Sequence, residues 1–294
     1  KGEDIDIYNL PLNDKNIYDK LFKFGYNSDV FHFNSILLKA YSQEVKPENI
    51  EDLIAMLALV RPGAVKSGAN IDYVKHKTGK KEPIYDYGIK EVTENTYGLL
   101  IYQEQIMQIC QILGGFSGSE AEDVRKSMGK LKRELIEPYE KRFIEGAVKN
   151  SCSAEEAKKI WEKMVGFAEY GFNRSHSACY AITGYISQWL KYYYPIQFWT
   201  TAFEFADNDD KIMSYISEIK KIDNFIQIIP PDINNSQEKF FTDYNQGKIY
   251  WSLSKIDSLG PVAVKAIINE RNKNGLYFSL EEFFKRVKKA EVNK

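Results

Sequence analysis

The spacing of apolar residues in this chain changes once, and that change constrains the fold. Up to about residue 220 the apolar residues recur at helical spacing between start and stop signals; beyond it they alternate like strands. Ser119 with Glu122, Ser153 with Glu156 and Ser279 with Glu282 each set a hydroxyl at an N-cap with a carboxylate one turn on. After Ser153 the stripe Ala157, Ile160, Trp161, Met164, Ala168 follows a 3.6-residue period, and Ile106, Ile109, Cys110 and Leu113 form a face that stops at Gly114-Gly115. Asn49 opens a helix carrying the apolar run Leu53–Val60, and Arg61-Pro62-Gly63 ends it. A long helix is expected from Ala178 to Tyr194, with Pro195 in the first turn of the next, through Phe205.

Beyond the polar break Asp207-Asn208-Asp209-Asp210 the pattern differs, which places a soft boundary at 207–224. Phe225–Ile229 alternates as a strand and stops at Pro230-Pro231. Lys239–Thr242 and Lys248–Leu253 read as two strands joined by a turn at Asn245-Gln246-Gly247, and helical spacing returns at Val262–Arg271. The fold class expected is mainly α with a small β element.

Charge and cysteine usage exclude several functions. With 40 basic and 41 acidic residues among 294, the chain cannot hold nucleic acid by overall charge, so any basic surface must be local. The apolar run Leu53–Val60 is far short of the roughly 18 to 20 residues of a membrane span, and no signal-peptide pattern opens the chain. The first residue is Lys1 rather than Met, which predicts a piece of something longer. Cys110, Cys152 and Cys179 are odd in number and far apart, which suits a reducing, cytoplasmic setting. His32, His76 and His176 are isolated from them, so no zinc set is expected. Neither a Walker-type phosphate loop nor a G-x-G-x-x-G turn occurs.

Five stretches could carry chemistry. Residues 125–133 hold Arg125, Lys126, Lys130, Lys132 and Arg133 with no acid among them, a set that could clamp a triphosphate or a nucleic-acid backbone; a solvated face is the plainer reading. Glu169–Ser177 gathers Tyr170, Phe172, Asn173, Arg174 and His176 around Gly171: rings to stack on a base, polar groups to bond its edges, or simply a loop with core aromatics. Val60–Gly68, with Arg61 and Lys66, reads as a glycine-bearing basic loop able to offer backbone N–H groups to phosphate, or as ordinary surface. Ser258-Leu259-Gly260, leading into a helix, could donate N–H groups to a DNA phosphate, or be a plain turn. Asp4 and Asp6 would share one face of a strand, as metal-binding pairs do, but such pairs are common by chance and this one lies at a chain end.

These pieces occur in a telling order. Ile7–Asp14, Ala58–Gly63 ("ALxRPGP"), Thr96–Met107 ("TYGxxxYQEQVM"), Val124–Gly129 ("LRRAMGK"), Tyr170–Ser177 ("YGFNKSHS") and Ile229–Asn234 ("LPPDIN") together resemble the α subunit of bacterial DNA polymerase III, the C-family replicative polymerase, over nearly the whole chain. The resemblance implies a segment leaving the palm at 1–20, a fingers domain at 21–206, a linker at 207–224, and a strand-rich segment with a helix-hairpin-helix at 225–294. It implies that Arg125 and Lys126 meet the triphosphate of the incoming dNTP, with Lys130 adding attraction, and that Tyr170, Asn173, Arg174 and His176 line the nucleotide pocket. Arg61, Lys66 and the hairpin Ser258-Leu259-Gly260 are the expected contacts to primer–template DNA. Mg²⁺ would be held by palm aspartates upstream of this sequence, so the chain alone is expected to be inactive; a sliding clamp and other replisome subunits would be partners of the intact parent, and no membrane is involved. The alternative is a non-catalytic nucleic-acid-binding module on the same scaffold, and the blandest is an all-helical interaction domain. The sequence departs from the family pattern at Lys126, Ala64, Arg174 and Ser258, and at Asp29–Ser35, where "GVFQxES" loses its Gly, Gln and Glu.

Overall fold

The computed structural model describes residues 4–130, 133–168, 171–222 and 225–287. They fall into two compact units, Lys1–Ser187 and Gln188–Lys294. The helices that begin in the first unit are α1 (Lys15–Lys20), α2 (Ile36–Val45), α3 (Ile50–Leu59), α4 (Pro62–Ser67), α5 (Ala69–Lys77), α6 (Lys90–Thr93), α7 (Gln103–Ile112), α8 (Gly118–Gly129), α9 (Arg133–Lys149), α10 (Ala154–Ala168) and α11 (Arg174–Tyr193).

Two packing centres organise this unit. α3 is buried on all sides from Asp52 to Leu59, which explains the continuous apolar run in its sequence. Its N-cap Asn49 accepts a hydrogen bond from the Asp52 N–H, and the buried Asp52 carboxylate in turn takes bonds from the Tyr73 hydroxyl (3.0 Å) and Lys77 Nζ (2.8 Å) on α5. α7, α8, α9 and α10 share the second core, where Ile106, Ile109, Val124, Met128, Phe143, Ile160, Trp161 and Met164 are buried. Each such side chain contributes about 1.5–3 kcal/mol of burial. α9 approaches the Gly114 turn closely: a Cβ on Gly146 would sit 2.1 Å from the Gly114 carbonyl oxygen.

Two local expectations shift. The cap of α8 is Ser117 with Glu120, not Ser119 with Glu122: Glu120 accepts from the Ser117 N–H at 2.8 Å. Ser-Gly-Ser-Glu-Ala-Glu contains the capping pattern in two registers, and the later one is unavailable because Glu122 is held by Arg125. Residues 62–67 are not a loop but the short helix α4, with Pro62 in its first turn and Gly68 ending it at φ 78°.

The second unit holds the end of α11, then α12 (Pro195–Glu204), α13 (Asp209–Ile222), β1 (Gln227–Ile229), β2 (Phe241–Asp243), β3 (Lys248–Tyr250), α14 (Pro261–Asn274) and α15 (Leu280–Arg286). The sheet order is β1-β3-β2, with β1 parallel to β3 in the register Ile228↔Ile249 and β2 antiparallel to it with Thr242↔Ile249. The expected turn joins β2 to β3: the N–H groups of Asn245 and Gln246 donate to Asp243 Oδ1, and Gly247 takes φ 65°. The strands are shorter than expected, because the chain past Tyr250 turns into a 3-10 segment at Leu253–Lys255. Mainly α with a small β element is the fold observed.

The segment expected as a linker at 207–224 is mostly α13. Asn208 accepts from the Lys211 N–H at 2.9 Å and starts the helix, so the polar break was a helix start rather than a hinge. Ile212, Tyr215 and Ile219 are buried with Trp199, Phe203, Phe240 and Ile249. Within this core Lys191 pairs with Glu218 at 2.8 Å and lies 4.7 Å from the Trp199 ring centroid. α14 and α15 close a smaller core of Leu253, Val264, Ile267, Tyr277 and Phe283. The buried Arg271 of α14 donates to the carbonyls of Ile233 and Ser236, pinning the loop after Pro230-Pro231 to that helix. Among the described residues no helix is long and apolar enough to cross a membrane.

Candidate functional site

The first turn of α7 builds the site. Gln105 is buried and all of its amide is used: Oε1 accepts from the N–H groups of Ile101 and Tyr102, and Nε2 donates to the Val92 carbonyl and the Thr96 hydroxyl. This fixes the chain entering α7, so that Gln103 and Glu104 point their side chains at residues 171–174. A parallel bridge pairs Tyr102 with Phe172, with the Gln103 N–H donating to the Phe172 carbonyl at 2.9 Å. Gln103 Nε2 donates to the Gly171 carbonyl (2.9 Å), while its Oε1 accepts from Arg125 Nη1 (3.1 Å). Glu104 accepts from Asn173 Nδ2 at 2.8 Å and from the Arg174 N–H at 2.9 Å, placing a carboxylate at the positive end of α11. Asn173 caps that helix by accepting from the His176 N–H at 2.7 Å.

Arg174 and Arg125 are each held in a fork by a carboxylate. Arg174 Nη2 lies 2.7 and 2.8 Å from the two oxygens of Glu51. Arg125 donates from Nε and Nη2 to both oxygens of Glu122, at 2.7 and 2.8 Å. The Arg125 bonds pull the Glu122 carboxyl down to about 2, and they raise the guanidinium correspondingly. Lys126 Nζ is 3.5 Å from the same carboxylate. The basic run thus has an acid beside it after all: Glu122 lies one helical turn before Arg125, just outside the 125–133 window. Lys130 is exposed at the end of α8, and Lys66 is exposed on α4.

Arg61, at the start of α4, lays its guanidinium 3.8 Å from the Phe172 ring centroid. Ser177 donates to the Ile54 carbonyl at 2.6 Å and ties α11 to the buried α3. The structure therefore brings Arg61, Arg125, Asn173, Arg174 and His176 to one assembly, through Phe172, Gln103 and Glu104. Tyr170 lies outside the described residues. Ser258, Leu259 and Gly260 belong to the second unit. There Ser258 takes φ 65°, the Leu259 N–H donates to the Ile256 carbonyl, and Gly260 precedes Pro261 at the start of α14. A Cβ on Gly260 would meet nothing within 4 Å, so no contact inside the chain requires a glycine there.

Residue-type reasoning passed over Gln103, Glu104, Glu51 and Glu122, which organise the cations. Gln103-Glu104-Gln105 at the start of an apolar-faced helix was the available signal. Asp4 and Asp6 do not form a strand pair: Asp6 caps a turn, accepting from the Tyr8 N–H and Asn9 Nδ2. Those bonds hold its carboxyl below the usual range. The residues present at that end thus do not fit a metal pair. Among the described residues no three His, Cys, Asp or Glu side chains are grouped to hold an ion.

Comparison with known proteins supplies the family. Residues 1–151 match the model of the bacterial DNA polymerase III alpha subunit finger domain, and residues 225–294 match a helix-hairpin-helix motif. DNA polymerase III subunit alpha of Aquifex aeolicus (strain VF5) is 37% identical over 297 residues, covering 100% of this chain and 25% of that protein. The Escherichia coli (strain K12) subunit is 36% identical, covering 99% of this chain and 25% of its own length. The Campylobacter jejuni subunit is 36% identical, covering 100% of this chain and 24% of its own length. The chain spans about a quarter of the curated relatives it matches. It belongs to the bacterial DNA polymerase III alpha subunit family, and it carries that family's finger region and helix-hairpin-helix.

Proposed function

We propose that this chain is the nucleotide-gripping and duplex-holding part of a cytoplasmic replicative DNA polymerase, with the catalytic metals held by residues outside it. Residues 21–206 act as the fingers, 1–20 as the segment leaving the palm, and 225–294 as the duplex-binding region. The observation that carries this reading is the bridge made by Gln103 and Glu104, which joins Arg125 on α8 to Asn173, Arg174 and His176 at the start of α11. A rigid amide–carboxylate support under several cationic and polar side chains suits recognition of a polyanion beside a base.

In this reading Arg125 and Lys126 take the β and γ phosphates, whose oxygens compete with Glu122 for the guanidinium fork. Lys130 adds longer-range attraction; Tyr170, Asn173, Arg174 and His176 face the base and sugar. Arg61 and Lys66 serve the DNA backbone on the first unit. On the second, Ser258-Leu259-Gly260 offers backbone N–H groups to duplex phosphates, and the open space around Gly260 supports close approach of a partner. Mg²⁺ belongs, in this reading, to palm carboxylates of the intact polymerase. A sliding clamp and other replisome subunits are partners of that intact protein.

The test is nucleotide incorporation by the full-length polymerase carrying Arg125→Ala. Loss of one charge-assisted partner costs about 1.5–3 kcal/mol, roughly a ten- to hundredfold rise in KM for dNTP, with DNA affinity little changed. A wild-type KM alongside collapsed DNA binding would make the cluster a DNA-backbone site instead. The 294-residue chain alone should extend no primer, and should bind duplex DNA with a log–log salt slope of roughly −2 to −4, from a few phosphates at about −0.9 each. Incorporation abolished by Asp4→Asn and Asp6→Asn would overturn the palm assignment.

A further inference from the structure

A file of rings with one cation at its end runs along one side of α11. His176, Tyr180 and Gly184 are spaced four apart, so they share a face, and Phe172 precedes them at the same interval. Ring centroids are 5.5 Å apart for Phe172–His176, 4.3 Å for His176–Tyr180 and 4.0 Å for Tyr180–His32, with interplanar angles of 72–79°. Phe31 extends the file, 4.4 Å from His32 and 5.5 Å from Tyr180. At the other end Arg61 stacks on Phe172.

The loop bearing Phe31 and His32 is seated deliberately. Val30 and Phe33 are fully buried and anchor it on either side. Gly184 lets it lie against α11: a Cβ there would come 2.6 Å from the Phe33 ring and 3.1 Å from the Phe31 carbonyl oxygen. His32 adopts φ 59°, a conformation that costs an ordinary residue free energy. The result is that Phe31, 45% exposed, and His32 stand at the surface beside Tyr180 rather than in the core.

We propose that the file Phe31–His32–Tyr180–His176–Phe172, with Arg61 at its end, is a stacking track for unpaired DNA bases. Proteins that bind single strands without sequence preference combine aromatic stacking surfaces with a positively charged path. This file supplies five rings in succession, phenylalanine, imidazole, phenol, imidazole and phenylalanine, with the Arg61 guanidinium at its end. In an edge-to-face pair one ring presents its edge, so its faces are not spent on that neighbour and stay available to a base. His32 is held below the usual imidazole range by burial first and then by His176 and Arg61, so it offers a base a neutral ring. Such a track needs bases without partners, which points to the template strand ahead of the primer end rather than to duplex. The inference rests on the DNA-binding reading above and deepens it by naming which form of DNA this face takes.

The experiment uses the 294-residue chain with a 2-aminopurine-labelled single strand and, separately, a labelled duplex. Stacking quenches 2-aminopurine, so the wild-type chain should quench the single strand on binding. Phe31→Ala should weaken single-strand binding roughly five- to thirtyfold and reduce the quench, leaving duplex affinity within about twofold. His32→Asn should act in the same direction; asparagine tolerates the left-handed backbone, so the fold is spared. Both residues are exposed, and unchanged melting temperatures will show that folding is intact. Wild-type quench and affinity in both variants, with duplex binding retained, would overturn the track alone. Equal losses on single strand and duplex would make it a general DNA contact and overturn the assignment to unpaired bases. Failure of the wild-type chain to bind either form would overturn the DNA-binding reading together with this one.

Discussion

Glu122 closes both oxygens on Arg125, so a triphosphate bound as proposed would compete with Glu122 for one guanidinium, and Glu122→Gln should then tighten nucleotide binding. The magnitude follows from the geometry. The fork is short, at 2.7 and 2.8 Å, but the two side chains are 25% and 31% exposed, so water screens the pair. Ion pairs of this kind are worth about 0.2–1 kcal/mol, and the bidentate geometry favours the upper part of that range. Abolishing the competitor should lower the dNTP KM of the full-length polymerase by about two- to fivefold. Acid cannot mimic the substitution. With its carboxyl pulled down to about 2, Glu122 stays ionised at any working pH, and the pair is lost only as pH falls toward that value. Steady-state single-nucleotide incorporation between pH 6 and 8 is the assay, run beside Arg125→Ala. If Glu122→Gln raises KM as far as Arg125→Ala does, the carboxylate aims Arg125 at the ligand instead of competing for it, and the reasoning is refuted.

Asp52→Ala should destabilise the protein by about 1–3 kcal/mol, because it leaves the buried Tyr73 hydroxyl without its acceptor and Lys77 with only Glu48 at 3.8 Å; a urea midpoint within error of wild type would contradict this. Gly184→Ala gains about 1 kcal/mol of helix propensity but drives a methyl into the Phe33 ring, an overpacking cost of about 1–3 kcal/mol, so thermal stability should fall. Ser258→Gly removes a left-handed non-glycine residue at some cost in chain entropy and should raise stability by up to about 1 kcal/mol, an increase readable as a higher Tm.

The helices were legible where one period ruled. The stripe from Ala157 to Ala168 and the run from Leu53 to Val60 led directly to the buried residues of α10 and α3. Legibility failed where one local pattern had two solutions. Ser117 and Ser119 both begin a capping box, and only the capture of Glu122 by Arg125 decides between them. Asp207–Asp210 could end an element or begin one, and the burial of Ile212, Tyr215 and Ile219 decides that. The cationic and polar members of the site were visible as types, since Arg125, Asn173, Arg174 and His176 stand out in their segments. Their supports were not: Gln103 and Glu104 bond to residues about 70 positions later, and Gln103 also to Arg125. No window along the sequence contains both halves of such a contact.

That separation has a consequence for how the site comes into being. The bonds from Glu104 to residues 173 and 174 close loops of 69 and 70 residues, and the Arg174–Glu51 fork closes one of 123. Closing loops of that length costs roughly 4 kcal/mol of chain entropy, so these bonds form with the packing of α11 rather than ahead of it. α7 and α8, neighbours in the chain, can pair early and hold Arg125 between Gln103 and Glu122, but Asn173, Arg174 and His176 join only with the start of α11. The set of Arg125, Asn173, Arg174 and His176 is thus complete only late. A chain released from the ribosome before residue 174 would hold Arg125 with Gln103 and Glu122 but lack the polar groups at the start of α11. Loosening α11 should remove Asn173, Arg174 and His176 from the site together while Arg125 keeps Gln103 and Glu122.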